Sequence, residues 1–273
     1  MKPNLDLVKE CDKFPPNEDS SFLFRFKLRS YDCSFGYLLP NTVAAVTWPD
    51  FWKVKEQVKI VTLLGTSLDE RNKQLKDTVY AEYQKRHVRA TQLVVSIKRL
   101  ATPLFGIITF GVQLLVYRDD PDGLRVWIAR RARTRRTFPS MLDNTVGGSL
   151  PTGKTPFRCL IRESGEEASI PEQMNARGGG ELGLLAHEVQ FTYEMKVGTE
   201  FVPKPGDDNE VESITLLHVE EVKKALGNGD FTPANGCVVL DFFVRHGIVT
   251  FKNEENYVEI AWRLHRMHEF PTA

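Results

Sequence analysis

Residues 162–167 read Arg162-Glu163-Ser164-Gly165-Glu166-Glu167, and no other stretch of the chain is as informative. In a helix, Glu163, Glu166 and Glu167 fall at positions i, i+3 and i+4, so they share one face within a single turn. Like charges this close destabilise a helix, which favours a compensating cation. A hard divalent ion that prefers oxygen ligands, Mg²⁺ or Mn²⁺, would supply the charge. The alternative is a solvated acidic helix face.

The segment before this stretch favours the metal-site interpretation. Thr145-Val146-Gly147-Gly148 ends an apolar run with a glycine pair, and Leu150-Pro151-Thr152-Gly153 is typical of a turn. Thr155-Pro156 predicts the N-cap and first position of a helix. The predicted order is therefore strand, glycine-rich loop and acidic helix. Glycine lets the backbone approach a ligand, so a carbonyl there would be able to join a metal shell.

The whole segment resembles the Nudix box, G-x5-E-x7-R-E-U-x-E-E-x-G-U, where U is aliphatic. The matching positions are Gly148, Arg162, Glu163, Glu166, Glu167 and Ile170. Lys154 replaces the usual Glu, Ser164 an aliphatic residue, and Ser169 the second Gly. If the helix ends in a left-handed turn, Ser169 costs on the order of 1 kcal/mol relative to glycine.

The resemblance implies roles for these residues. Glu163, Glu166 and Glu167 would coordinate Mg²⁺ or Mn²⁺ with help from the carbonyl of Gly147. Arg162 would orient one of the glutamates through a charge-assisted hydrogen bond rather than touch the substrate. The ions would bridge a diphosphate and lower the pKa of an attacking water. The expected enzyme is a Nudix-type diphosphatase.

A fourth acid is expected from a loop near the later strands. Asn209-Glu210-Val211-Glu212 lies at the corresponding place in the chain. Glu210 and Glu212 are both candidates for a general base, with Glu210 preferred, and a solvated acidic turn is the alternative for each.

The dense basic run of residues 130–136 contains five arginines and precedes the glycine loop. In isolation it would suggest nucleic acid, but its position makes phosphate binding in the active site the simpler interpretation. Arg130 and Arg131 are therefore predicted to bind substrate, together with Lys154, and some of the other arginines only to solvate a loop.

Resemblance extends along essentially the whole chain, to the Nudix subgroup related to fungal thiamine pyrophosphokinase fusions. The similar segments are residues 127–131, 141–146, 188–193, 209–212 and 240–247. This resemblance implies a mixed α/β (α+β) fold, a Nudix α/β/α sandwich with a smaller N-terminal α/β accessory domain. The predicted division is 1–104 for the accessory, substrate-shaping domain and 105–273 for the hydrolase domain.

Composition narrows the class of protein. The 36 Lys and Arg residues balance the 36 Asp and Glu residues, so no global field attracts nucleic acid or membrane. No apolar stretch is long enough to span a bilayer, and the first residues do not form a signal peptide. The four cysteines show neither metal-ligand nor disulfide-framework spacing, which indicates a reducing compartment, the cytoplasm by default. The oligomeric state, a homodimer included, is left open.

Apolar periodicity and turn residues predict the elements. Helices are expected over 4–12, 67–89, 219–226, 236–246 and 256–267, with a helix start at Pro49-Asp50-Phe51-Trp52. Strands are expected over 22–28, 35–40, 107–117, 125–131, 189–197 and 211–217.

The function predicted from these residues and the resemblance is metal-dependent hydrolysis of a diphosphate compound to its monophosphate plus phosphate. Thiamine diphosphate or its oxidised analogues are the expected substrates. The alternatives are a prenyl or nucleoside diphosphate, or a Nudix-like protein that binds a diphosphate without cleaving it.

Overall fold

The computed structural model describes residues 2–12, 20–85, 109–151, 153–169, 174–175, 188–207 and 209–265. The chain divides into two compact units. One comprises Met1–Lys13, Phe110–Gly179 and Glu188–Arg266, and the other Phe14–Thr109, Gly180–His187 and Met267–Ala273. The predicted boundary at residues 104 and 105 lies outside the described residues. The units differ from the predicted domains most clearly at the N-terminus, where the first thirteen residues belong with the acidic helix.

The unit that contains residues 20–85 is built on a four-stranded sheet of order β2-β1-β4-β3. Its elements are β1 (Phe24–Leu28), β2 (Gly36–Leu38), α2 (Pro40–Ala45), β3 (Trp52–Lys55), β4 (Ile60–Leu63) and α3 (Leu68–Lys85). Strands β1 and β4 are parallel, whereas β2 and β3 pair antiparallel to their neighbours. Leu75 and Val79 of α3 pack into the core of this sheet.

The helix start predicted at Pro49 is wrong. The carbonyl of Pro49 accepts the N–H of Trp52 at 2.8 Å, which makes a turn, and Trp52 then opens strand β3. The indole of Trp52 is buried and donates to the hydroxyl of Thr78 on α3 at 2.8 Å. Tertiary packing of the indole therefore outweighs the local signal from Pro-Asp.

The other unit is built on a larger sheet. Its strands are β5 (Thr109–Asp120), β6 (Gly123–Arg131), β7 (Leu142–Asp143), β8 (Val146–Ser149), β9 (Met174–Asn175), β10 (Glu188–Lys196) and β11 (Val211–His218). Within the described residues the order is β11-β6-β5-β10-β9, with β7 on β6 and β8 on β5. The hairpin β5–β6 turns at Pro121-Asp122, as the Asp/Pro/Gly composition predicts.

Helices cover both faces of this sheet. They are α1 (Asn4–Cys11), α4 (Pro156–Ala168), α5 (Val219–Asn228), α6 (Pro233–Arg245) and α7 (Tyr257–Leu264). Leu114 points to the face covered by α4 and Leu115 to the face covered by the other four helices, as strand alternation requires. The predicted mixed α/β architecture is confirmed. No helix in the described parts of the chain is long and apolar enough to cross a lipid bilayer.

Candidate active site

Helix α4 carries the acidic stretch, and it begins and ends at the residues that the sequence predicts. Thr155 is the N-cap, its hydroxyl accepts the N–H of Arg158 at 3.4 Å, and Pro156 opens the helix. At the other end Ser169 adopts a left-handed conformation with φ of 54°, where the Nudix box has glycine. The predicted cap is confirmed, and so is the strained position of Ser169. Ile170 lies outside the described residues.

The glutamates of α4 divide between two environments. Glu163 and Glu167 are each only 9% exposed and lie on the helix face that packs against the sheet. Glu166 is half exposed at its side chain. Cys159, Leu160 and Ala168 anchor the same inner face in the apolar core. The apolar side of the helix therefore holds two carboxylates in a buried environment, largely shielded from solvent.

The glycine pair on β8 makes room for these carboxylates. The N–H of Gly147 donates to Oε2 of Glu167 at 2.9 Å. A Cβ placed on Gly148 would lie 2.2 Å from Cδ of Glu163, so a side chain at 148 would displace that carboxyl group. The close backbone approach expected of this loop is thus present, and the acids themselves use it.

Arg162 contacts two of the acids. Its guanidinium pairs with Glu163 and lies 2.5 Å from Oε2 of Glu166. Because a charge-assisted hydrogen bond fixes the direction of a carboxylate, Arg162 constrains both glutamates from the solvent side of the helix.

Burial and crowding act on the acids together. Burial raises the pKa of Glu167 well above its usual range, and the charges of Asp143, Glu163 and Glu210 raise it further against the hydrogen bond from Gly147. Burial also raises the pKa of Glu163; the charge of Arg162 opposes this, while Glu166 and Glu210 add to it. The site is therefore short of positive charge.

The two candidates for the fourth acid lie at the start of β11 and differ in their surroundings. Glu210 pairs with Arg135, and its backbone carbonyl accepts the N–H of Ala132 at 2.9 Å. Its charge acts on both Glu163 and Glu167. Glu212 instead lies 3.2 Å from a guanidinium nitrogen of Arg133. Of the two, Glu210 is thus the acid whose charge raises the pKa values of the α4 glutamates Glu163 and Glu167.

The predicted phosphate-binding cations are placed differently from one another. Arg130 donates to the carbonyl of Ser140 at 2.7 Å. Arg131 lies 2.7 Å from Oδ2 of Asp143 and also donates to the carbonyls of Thr137 and Phe138. Both arginines therefore brace the connection between β6 and β7. Lys154 is exposed on the turn that precedes α4.

Two residues of the site were not singled out from the sequence. Asp143 lies within a segment that supported the family resemblance, but nothing in its spacing separates it from a surface acid. Its pKa is raised by burial, although Arg131 opposes the shift. Gly206 contacts the end of α4, and nothing in the sequence distinguishes it from an ordinary loop glycine.

Within the described ranges, no group of three or more His, Cys, Asp or Glu side chains is arranged to hold a metal as it stands. The donor set nevertheless fits a hard divalent ion. Glu163 and Glu167 offer buried carboxylate oxygens with raised pKa values beside a glycine strand, and Glu166 lies on the same helix turn. A cation would relieve the repulsion that burial imposes.

Comparison with known proteins agrees with this geometry. Residues 109–234 match the family model described as NUDIX domain. An uncharacterized protein of Saccharomyces cerevisiae is 34% identical over an alignment of 201 residues, and the match covers 65% of this chain and 58% of that protein. Nudix hydrolase 20, chloroplastic, of Arabidopsis thaliana is 33% identical over an alignment of 180 residues, and the match covers 62% of this chain and 47% of the relative. The chain thus spans about half the length of these two curated relatives.

Among solved structures, the crystal structure of the MutT protein from Methanosarcina mazei matches with a TM-score of 0.39 and 19% identity. The match covers 50% of this chain and 91% of that one. The match to the NUDIX family model thus covers less than half of the chain, and the acidic helix on the sheet lies within it.

Proposed function

We propose that this chain is a metal-dependent hydrolase that cleaves a diphosphate compound to its monophosphate and phosphate. The observation that carries the proposal is the pair of buried carboxylates, Glu163 and Glu167, held against the glycine strand at Gly147 and Gly148. Buried acids with raised pKa values are costly for stability, and they cluster where chemistry needs them.

Mg²⁺ or Mn²⁺ would be held by Glu163, Glu166 and Glu167, with the carbonyl of Gly147 as a further oxygen donor. Such an ion supplies charge that polarises the diphosphate and lowers the pKa of an attacking water. Arg162 keeps Glu163 and Glu166 in place and takes no part in the bond that breaks.

Glu210 would accept the proton of the attacking water. As the water oxygen attacks the terminal phosphorus, the bond from that phosphorus to the bridging oxygen breaks, and the monophosphate leaves with that oxygen. Lys154, exposed before α4, would bind a substrate phosphate. Arg130 and Arg131 remain proposed substrate contacts, although each already donates to the β6–β7 connection.

Thiamine diphosphate or its oxidised analogues are the proposed substrates. Support comes from the sequence resemblance to the thiamine-related subgroup, carried by segments such as residues 127–131 and 240–247. A prenyl or a nucleoside diphosphate would meet the same acids, and the group attached to the diphosphate decides among them.

The test is phosphate release from a panel of thiamine, oxothiamine, oxythiamine, prenyl and nucleoside diphosphates with Mg²⁺ or Mn²⁺. We expect turnover of a thiamine-type diphosphate and a fall of more than about 100-fold in Glu167→Gln, because loss of even an outer partner of a metal ligand costs 10–100-fold. Glu200→Gln, at an exposed glutamate of the same unit, is the matched control. Full turnover in Glu167→Gln, or none in the parent protein across the panel, would falsify the proposal.

A second candidate function is binding of a diphosphate without cleavage. Arg162 engages both Glu163 and Glu166, and Lys154 stands where the Nudix box has an acid. In that case a diphosphate would raise the melting temperature at saturating Mn²⁺ while no phosphate is released.

The cellular setting is part of the same proposal. All four cysteines are free thiols, as a reducing cytoplasm would keep them. Residues 1–104 would form an accessory domain, except that α1 belongs with the acidic helix. A homodimer would be detected by light scattering.

A further inference from the structure

The connection between β10 and β11, described at residues 197–207 and 209–210, contacts the end of the acidic helix. The N–H of Gly206 donates to the carbonyl of Glu167 at 2.9 Å, and the N–H of Lys204 reaches the carbonyl of Ala168 at 3.4 Å. The last carbonyls of a helix have no partners within the helix. This connection therefore caps α4 from outside, at the turn that carries Glu166 and Glu167.

Gly206 is the closest point of that contact. A Cβ built on Gly206 would lie 1.6 Å from the backbone oxygen of Glu166 and 2.7 Å from its carbonyl carbon. The φ of Gly206 is not among the positive values, so conformational freedom is not the reason for glycine here. Glycine is required because the backbone of Glu166 is so close, and backbone atoms cannot rotate away as a side chain would. Any larger residue must move the connection by more than about 1 Å.

The same connection leads directly to Glu210. Glu210 is fixed on its far side, because its carbonyl accepts the N–H of Ala132 and the following strand pairs with β6. One short stretch of backbone thus joins the turn that carries Glu167 to the acid whose charge acts on Glu163 and Glu167.

We propose that Gly206 is a positioning residue that sets the place of Glu210 relative to the glutamates of α4. This inference rests on the proposed function, since it gives Glu210 its use as the general base. Gly206 itself touches neither the substrate nor the ion; a side chain there would push the connection away from α4 and so move Glu210.

The test compares Gly206→Ala with Gly198→Ala, the matched control. Gly198 lies in the same connection, and no heavy atom stands within 4 Å of a Cβ placed there. We expect kcat of Gly206→Ala to fall about 100-fold, as a displacement of about 1 Å can cost. The KM, and Mn²⁺ binding measured without substrate by electron paramagnetic resonance, stay at the parent values. Gly198→Ala keeps the parent kcat.

A double variant separates positioning from general weakening. If Gly206 acts through Glu210, adding Glu210→Gln to Gly206→Ala slows turnover no further, whereas multiplied effects would overturn the inference. If Gly206→Ala does not fold, a glycine inserted between Gly206 and Asp207 lengthens the link without a collision. It should lower kcat with the melting temperature preserved, unlike the same insertion after Gly198.

The outcomes also separate this inference from the proposed function. Turnover in the parent with an equally active Gly206→Ala overturns the positioning role alone. A parent that neither binds Mn²⁺ nor releases phosphate overturns the proposed function, and the positioning role with it.

Discussion

The carboxyl group of Glu163 occupies the space that a side chain on residue 148 would fill. Its Cδ stands 2.2 Å from the position of a Cβ on Gly148, so strand and helix meet there through a carboxylate rather than through apolar packing. The absence of a side chain at 148 is therefore a condition for the place of the acid.

Gly148→Ala should displace Glu163 and lower turnover about 100-fold, since a shift of about 1 Å can cost that much. Mn²⁺ binding should weaken as well, which electron paramagnetic resonance measures without substrate. Gly165→Ala is the matched control, because Gly165 is exposed in mid-helix with open space around it. It should keep full activity and raise the free energy of unfolding by about 0.5–1 kcal/mol. Equal activity in the two variants would contradict this account of Gly148.

Glu210→Gln should reduce kcat by about 10²–10⁴-fold, the usual contribution of a general base. Glu212→Gln should leave it nearly unchanged, because Glu212 pairs with the exposed Arg133 and is not among the main charges that raise the pKa values of Glu163 and Glu167. The kcat of both variants is measured by steady-state kinetics with Mg²⁺ between about pH 5 and pH 9. The reverse order of effects would assign the base to Glu212.

Ser169→Gly should raise the free energy of unfolding by about 1 kcal/mol, because Ser169 holds a φ of 54° that glycine adopts without strain. For a unit of this size, that corresponds to a rise in melting temperature of about 2–4 °C. Ser169→Ala keeps the Cβ and should show no gain. Were alanine to stabilise as much as glycine, the strain would lie elsewhere.

Asp241 gives a pH-dependent contribution to stability. Burial opposes its ionisation, but hydrogen bonds from His265 and Arg245 together outweigh burial and lower its pKa. A depressed pKa means that the contribution is complete above the ordinary value of 3.8 and is lost as pH falls through the lower, folded value. Asp241→Asn should therefore cost about 1–3 kcal/mol at pH 7.

Denaturant unfolding of Asp241→Asn and the parent at several pH values measures this difference. The two stabilities should converge as pH falls below 3.8, while Asp119→Asn, at an exposed pair with Lys196, should change stability by less than about 1 kcal/mol at any pH. A difference that does not depend on pH would show that the carboxylate charge is not the cause.

Much of the fold could be predicted because local signals and tertiary packing agree. The hairpin β5–β6 has period-two apolar residues and a turn sequence, and α4 has both a cap and an apolar stripe. At Trp52 the local signal and the tertiary packing disagree. The local sequence predicts a helix, but the indole is buried against Thr78 and the residue opens a strand. The place of α1 beside α6 and α7 could not be predicted, because apolar periodicity shows that a face is buried but not what buries it.

The candidate site shows the same division. Helical spacing alone predicts that Glu163 and Glu167 share a face, and the structure places them there. The spacing does not show that Arg131 is engaged by Asp143, or that Gly206 lies against the backbone of Glu166, because each contact joins residues on different structural elements. Short motifs report the chemistry of one helix, whereas the partners of its acids come from the rest of the sheet.

The placement of α1 has a practical consequence for protein production. Leu5, Leu7 and Val8 are buried against the terminal helices, and Arg263 reaches Asp12 at 2.7 Å. An expression fragment that begins at residue 105 would contain the acidic helix and the larger sheet. It would lack α1, so the apolar residues of α6 that α1 buries would be exposed to solvent. Such a fragment should aggregate unless residues 2–12 are supplied as a separate peptide or fused to it by a linker.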